Sequence, residues 1–274
     1  MPEDIQTQHD GARLVKALKR NRPAQEAFAH AAELAAPGVT IPDYISGHYR
    51  WAYLWRPGVW FFDHMPVINC IVFGQYRKMV DATLAHFSPD PATGSTVLIA
   101  SAYGDLVPRL ADRLGDNPLT VLDVAPIQLG LADTKLRQAG LREKAELHLM
   151  DAESLQFGDN QFDSGLMFLL LNEMPSDARR RALEHAIRVI KPGGQLVITE
   201  YGALGKEHLL HRFPPLRWMV MQIEPHLDSL WRNNLAEMVD DCARASGKRV
   251  TLTDCSLIFD GFYRVKRFRV EGLG

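Results

Sequence analysis

The chain has 274 residues, is 46% hydrophobic and 23% charged, and carries a net charge of −2 with a pI near 6.6. That composition suits one large globular domain or a domain plus an appendage, and it excludes both a disordered chain and the strongly basic face of a nucleic-acid binder. Three cysteines (Cys70, Cys242 and Cys255) without CxxC spacing argue against a disulfide framework or a zinc site and fit a reducing cytoplasm.

The N-terminus has no apolar core after a basic start, so it does not read as a secretory signal. Residues 1–88 read as a helical N-terminal cover, rich in Ala, Leu, Lys, Arg and Glu before Pro37-Gly38. An aromatic run from Tyr44 to Tyr76 follows, broken by Pro57-Gly58 and Pro66. Its most apolar part, Leu54 to Phe73, is interrupted by Arg56, Asp63 and His64, so it is no transmembrane segment. Core packing, a roof over an apolar pocket and peripheral contact with a membrane surface all remain open for it. Tyr49 and Tyr53 lie four apart, share a helix face, and are candidate lid or catalytic residues.

Pro89, Pro91 and Gly94 form a linker, and from residue 95 to 274 the texture changes. Strands are predicted at 96–102, 119–125, 145–153, within 161–174, and at 195–201. Helices are predicted at 107–115, 126–140 and 176–190. Alternation of this kind means βαβ units and a parallel sheet covered on both faces. Residues 249–270 alternate apolar and polar around Asp260-Gly261 and read as an antiparallel hairpin. Between lies a helical insert, about 205–246. The fold class read is α/β, a class I S-adenosylmethionine (AdoMet) methyltransferase-like sheet of seven strands with a helical N-terminal cover.

Ligands of doubly wound sheets bind at the carboxyl ends of the strands. The first such loop is Ala100-Ser101-Ala102-Tyr103-Gly104-Asp105, where methyltransferases usually carry three alternating glycines after an acid. Aligned on Gly104, the acid becomes Leu98 and two glycines become Ala100 and Ala102. Small residues there still permit close approach of a nucleoside. Asp123, followed by Val124, ends strand two and suits ribose hydroxyls, or else caps the next helix. Asp151, followed by Ala152, ends strand three and suits adenine, or else caps a short turn. Gln128 and Leu170 complete the expected cofactor shell. Strand four exits into Asn172-Glu173 and strand five into Tyr201, whose ring offers a face to a sulfonium. These are the candidate catalytic groups. A metal held by Asp105, Glu173 and a histidine is permitted but not required by spacing.

The ordered set YGD (103–105), LDVAPIQL (122–129), FDSGLMFLLLNEMP (162–175), RRRALEHAIRVIKPGG (179–194) and ITEY (198–201) resembles the rhodoquinone-biosynthesis family, RquA. Residues 48–79 resemble the N-terminal region of the same family. The resemblance implies AdoMet as an amino donor that replaces a quinone methoxy group, assisted by Mn(II). It implies Tyr103, Gly104 and Asp105 at the methionyl group, Asp123 at ribose and Asp151 at adenine. Where the family has His before the Glu, this chain has Asn172. Where it has Asp-Tyr-His, this chain has Glu200-Tyr201-Gly202. Three further readings therefore stand beside quinone amination: cyclisation of AdoMet to azetidine-2-carboxylate and methylthioadenosine, conventional methyl transfer to a small apolar acceptor, and AdoMet binding without catalysis.

Overall fold

Continuous apolar runs such as Thr96–Ile99 bury both faces, which only the middle of a covered parallel sheet permits. In the computed structural model, which describes residues 39–90, 93–203, 208 and 212–272, that sheet has seven strands. They are β1 (Thr96–Ile99), β2 (Leu119–Asp123), β3 (Ala145–Leu149), β4 (Phe162–Phe168), β5 (Ile190–Tyr201), β6 (Lys248–Ile258) and β7 (Tyr263–Gly272). Their order is β3-β2-β1-β4-β5-β7-β6. The first five run parallel, and β7 inserts antiparallel between β5 and β6, with Glu200 opposite Arg264. Strand order reverses between β1 and β4, so the crevice beyond their carboxyl ends is where a ligand belongs.

The helices before the sheet are short: α1 (Asp43–Gly47), α2 (Arg50–Tyr53), α3 (Arg56–Phe62), α4 (Met65–Ile71) and α5 (Tyr76–Leu84). Pro57 and Pro66 sit in the first turns of α3 and α4, where a missing N–H costs nothing. The long helices α6 (Leu106–Arg113), α7 (Pro126–Gln138) and α8 (Ser176–Val189) are the crossovers of the parallel half. The insert holds α9 (Pro214–Ile223), α10 (Leu227–Arg232) and α11 (Leu235–Ala245).

One apolar core joins the sheet to α5: Tyr76, Met79, Val80 and Phe87 are buried in the same cluster as Val97, Leu98, Leu166 and Val197. The Thr83 and Thr199 hydroxyls, 2.5 Å apart, tie α5 to β5. The end of the predicted cover is therefore part of the sheet's own core. A buried lysine closes the other end of the molecule. Lys248 Nζ donates to the carbonyls of Ile187 (2.9 Å) and Arg188 (2.8 Å), and also to that of Ile190. It satisfies the last carbonyls of α8, as a cation at a helix C-terminus should.

Several expected boundaries shift. Strand one ends at Ile99 rather than 102, because Ala100 turns the chain at φ +67°. Strand three ends at Leu149, and a turn of 3₁₀ helix (Ala152–Ser154) takes up the rest. Strand five begins at Ile190, so the KPGG segment runs within its bounds, irregularly paired with β4. The expected helical reading of residues 1–38 lies outside the described residues.

Candidate active site

Five strand ends, the cover and the insert enclose one cavity of about 610 Å³. Its wall includes Ala100–Tyr103 after β1, Asp123–Ala125 after β2, Met150–Ala152 after β3, and Phe168–Leu170 with Asn172 and Glu173 after β4. Tyr201 closes β5. Tyr49, Trp51, Tyr53 and Ile71 come from the cover, and Val220 and Glu224 from the insert.

The loop after β1 keeps a glycine-type backbone without the glycines. Ala100 adopts the left-handed conformation at φ +67°, strained by roughly 1 kcal/mol for a residue with a Cβ. Gly104 sits at φ +79°, and a Cβ there would lie 2.4 Å from the Tyr76 hydroxyl. That hydroxyl explains the loop's shape. It donates to the Tyr103 carbonyl (3.0 Å) and accepts the N–H groups of Asp105 (3.0 Å) and Leu106 (3.2 Å). A side chain of α5 thus organises the N-terminus of α6. Asp105 Oδ1 is buried without a hydrogen-bond partner.

Asp123 is buried at the end of β2. Its Oδ2 accepts the Ser101 N–H (2.9 Å) and its Oδ1 the Ala125 N–H (2.8 Å). It therefore ties two loops together, and each oxygen keeps a lone pair for a hydroxyl donor. Burial pushes its pKa up to about 7, against the pull of those N–H groups. Asp151 Oδ1 accepts the Glu153 N–H (2.9 Å), which is the turn-capping role. It also lines the cavity, so the two readings of this residue coexist. Burial raises its pKa as well.

The cover is fastened to the sheet by aromatic and polar contacts. Tyr53 stacks on Tyr103, with centroids 5.6 Å apart and planes within 12°. The Tyr103 hydroxyl donates to the Ala52 carbonyl and accepts from Gln128 Nε2 (3.0 Å). Asp63 accepts from the Gly104 N–H (3.3 Å) and pairs with Lys135. Tyr44 donates to Glu153 (3.2 Å). Tyr49 and Tyr53 do share a side: their rings lie 6.0 Å apart, although a break before Arg50 leaves Tyr49 as the cap of α2 rather than a helical residue.

Carboxylates gather where β4 and β5 end. Glu173 accepts from the Tyr53 hydroxyl, and Glu224 from the Tyr49 hydroxyl at 2.8 Å. Glu200 receives the N–H groups of Asn172 (3.1 Å) and Tyr201 (2.7 Å). Burial, reinforced by Glu224, pushes Glu173 well above the usual carboxylate range. Burial also raises Glu224, against the Tyr49 and Asn172 hydrogen bonds. Burial pushes Glu200 up to about 8. Asn172 is buried, and its Oδ1 has no partner. Tyr201 packs against Tyr263, centroids 5.0 Å apart, at the back of the cluster.

Most expected site residues therefore meet: Ala100, Ser101, Ala102, Tyr103, Asp123, Val124, Asp151, Ala152, Leu170, Asn172, Glu173, Tyr201, Tyr49 and Tyr53 all line the one cavity. Gln128 stands behind the wall as the partner of Tyr103, and Gly104 and Asp105 lie just beyond the lining, at the head of α6. Glu224 and Tyr76 are the residues that sequence reasoning missed. The only hint for Glu224 is a lone acid at the end of an apolar run, WMVMQIE. Among the described residues no three His, Cys, Asp or Glu side chains are arranged to hold a metal ion, so the Asp105–Glu173–His arrangement is not found.

Sheet order, the antiparallel insertion of β7 and a cavity at the strand-order reversal define a class I AdoMet-dependent methyltransferase fold. Residues 97–194 match the methyltransferase domain family. The sequence is 32% identical over 130 residues to the ubiquinone/menaquinone biosynthesis C-methyltransferase UbiE of Brucella abortus (strain S19), covering 47% of this chain and 48% of that protein. The same-named protein of Brucella anthropi is 31% identical over 130 residues, with 47% and 49% covered. The chain thus spans about half the length of the curated relatives it matches. Solved structures share the fold at low identity. The mitomycin 7-O-methyltransferase MmcR superposes with TM-score 0.61 at 16% identity, covering 90% of this chain and 68% of that one. Magnesium protoporphyrin IX methyltransferase from Synechocystis PCC 6803, with bound SAM, gives 0.57 at 11%, covering 86% and 100%. Among the described residues no helix is long and apolar enough to cross a membrane, and the three cysteines are unpaired.

Proposed function

We propose that the protein consumes AdoMet by using its methionyl nitrogen rather than its methyl group, and that the acceptor is an apolar ring of the quinone type. The observation that carries this reading is the buried pair Glu173 and Glu224, each receiving a tyrosine hydroxyl and each with raised proton affinity. Methyl transfer leaves the methionyl ammonium protonated. An amine that is to act as a nucleophile must first lose a proton, and a carboxylate whose pKa has moved toward neutrality accepts one readily.

The residues present fit AdoMet. The unpartnered Asn172 Oδ1 gives the ammonium an acceptor, and the buried acids gain a compensating cation. In this reading Asp123 holds the ribose hydroxyls, Asp151 the adenine amino group, and Ala100–Tyr103 the nucleoside edge. Tyr53 and Tyr49 orient the two glutamates. Tyr201 presents its ring to the sulfonium. Glu173 or Glu224 takes the ammonium proton. The freed amine forms a bond to the ring carbon bearing methoxy, the C–OCH₃ bond breaks, and methanol leaves with a proton. A carboxylate then takes a proton from the methionyl Cβ, and a Cα=Cβ double bond forms as the Cα–N bond breaks. The departing ring nitrogen keeps the electron pair and picks up a proton, which leaves the amino group on the ring and an unsaturated chain on the sulfonium. The described residues supply no cluster for manganese, and no step here needs one.

The similarity to quinone C-methyltransferases supports a quinone-sized apolar acceptor. Incubation with AdoMet and a short-chain ubiquinone, with and without Mn(II), is expected to yield an aminoquinone by mass spectrometry. A methylated product with S-adenosylhomocysteine would overturn the reading in favour of ordinary methyl transfer. Binding with no product would leave an AdoMet-binding protein. A second reading rests on Asn172 and Tyr201 lining one cavity beside two bases: the neutral amine attacks the γ-carbon of its own chain, expelling methylthioadenosine and leaving azetidine-2-carboxylate. Those products in the absence of any acceptor would establish it.

A further inference from the structure

Among the described residues eight large hydrophobic side chains are exposed, and six of them belong to the cover or the insert: Trp51, Trp55, Phe61, Ile71, Phe213 and Trp218. Trp55 is 56% and Trp218 64% exposed, which is unusual for the most amphipathic of the large side chains. The two segments are far apart in sequence yet adjacent at the cavity. Tyr49 at the start of α2 donates to Glu224 at the end of α9, and Trp51, Ile71 and Val220 all line the cavity wall. Trp51 and Ile71 are at once cavity lining and exposed, so the apolar interior runs out onto this surface.

The stretches around Trp51, Trp55, Phe213 and Trp218 carry charge of one sign. Residues 44–56 and 208–223 contain no Asp or Glu, while Arg50 and Arg56 flank Trp51 and Trp55, and Arg212 and Arg217 flank Phe213 and Trp218. In a chain of net charge −2 this is a local concentration of positive charge interleaved with aromatics. Tryptophan and arginine together are the chemistry of a bilayer interface carrying anionic headgroups.

We infer that this rim docks on an anionic lipid surface, so that a membrane-dissolved acceptor enters the cavity without crossing water. The inference rests on the apolar-acceptor reading above, but vesicle binding is measured without AdoMet or acceptor, so the two fail separately. The full chain is floated with phosphatidylcholine vesicles and with vesicles containing about one-third phosphatidylglycerol. It should bind the anionic vesicles about tenfold more tightly, and lose that preference at high salt. Trp55→Ser/Trp218→Ser should weaken binding by about tenfold, with an unchanged melting temperature. Should that variant unfold, Arg50→Glu/Arg217→Glu reads the same surface through charge. No flotation with anionic vesicles overturns the inference. Concentration-dependent dimers abolished by the same double variant also overturn it, in favour of a second copy.

Discussion

Tyr49 of the cover donates a 2.8 Å hydrogen bond to Glu224 of the insert, joining segments 175 residues apart across the mouth of the cavity. Its consequence is electrostatic. The tyrosine hydroxyl favours the ionised form of a carboxylate that burial otherwise drives toward the neutral form. Tyr49→Phe removes that support. The acid limb of the kcat–pH profile should move to higher pH, with kcat down about tenfold or more at pH 7 and little change in substrate KM. A profile with unmoved limbs would show Tyr49 to be packing alone.

Stability should fall as pH rises. Asp123 has a folded pKa of about 7 and Glu200 of about 8, both above their unfolded values. The folded state therefore binds more protons than the unfolded state between about pH 4 and 8, and unfolding free energy declines across that window before levelling off. The change is on the order of a few kcal/mol. Thermal melts of the ligand-free protein at pH 5.5, 7 and 8.5 check the order, and a melting temperature highest at 8.5 would contradict it.

Asp123→Asn keeps the shape and removes the buried charge. It should weaken AdoMet binding about tenfold or more by calorimetry, and it should flatten part of the pH dependence above. An Asn at this position that still bound AdoMet normally would remove Asp123 from the ribose role.

The loop after β1 allows two opposite substitutions. Ala100→Gly relieves a left-handed residue and should stabilise the protein by up to about 1 kcal/mol in urea unfolding. Gly104→Ala forces a Cβ against the Tyr76 hydroxyl and should destabilise by about 1–3 kcal/mol while lowering AdoMet affinity. Equal effects of the two substitutions would mean that the loop is plastic.

Lys248→Met tests the far end of the molecule. The carbonyls of Ile187, Arg188 and Ile190 lose the lysine donor, although Ile187 keeps the Ile190 N–H and Arg188 the Asn160 N–H, so stability should fall by about 1–2 kcal/mol. AdoMet affinity should not move, because the residue lies away from the cavity lining.

Much of this protein was legible in the amino-acid sequence. Asp123 and Asp151 stand out because an acid at the end of a buried apolar strand has few other uses. The hairpin over Asp260-Gly261 follows from period-two alternation, and the crossover helices follow from Pro126 and the KPGG segment. The loop after β1 was harder to read. Two alanines where glycines are usual suggest a changed backbone, yet Ala100 keeps the left-handed turn, next to the Ser101 N–H that Asp123 accepts.

Local pattern determined the sheet, its order of strands and helices, and the acids at the strand ends, because each depends on residues close in the chain. Only the tertiary structure decided what the site contains. Glu224 comes from an insert with no motif, Tyr49 and Tyr53 from a cover of broken helices, and Tyr76 from a helix that belongs to the sheet's core. Their meeting sets the proton affinity of Glu173 and Glu224, since burial and a neighbouring charge are properties of assembled surroundings and leave no trace in sequence spacing.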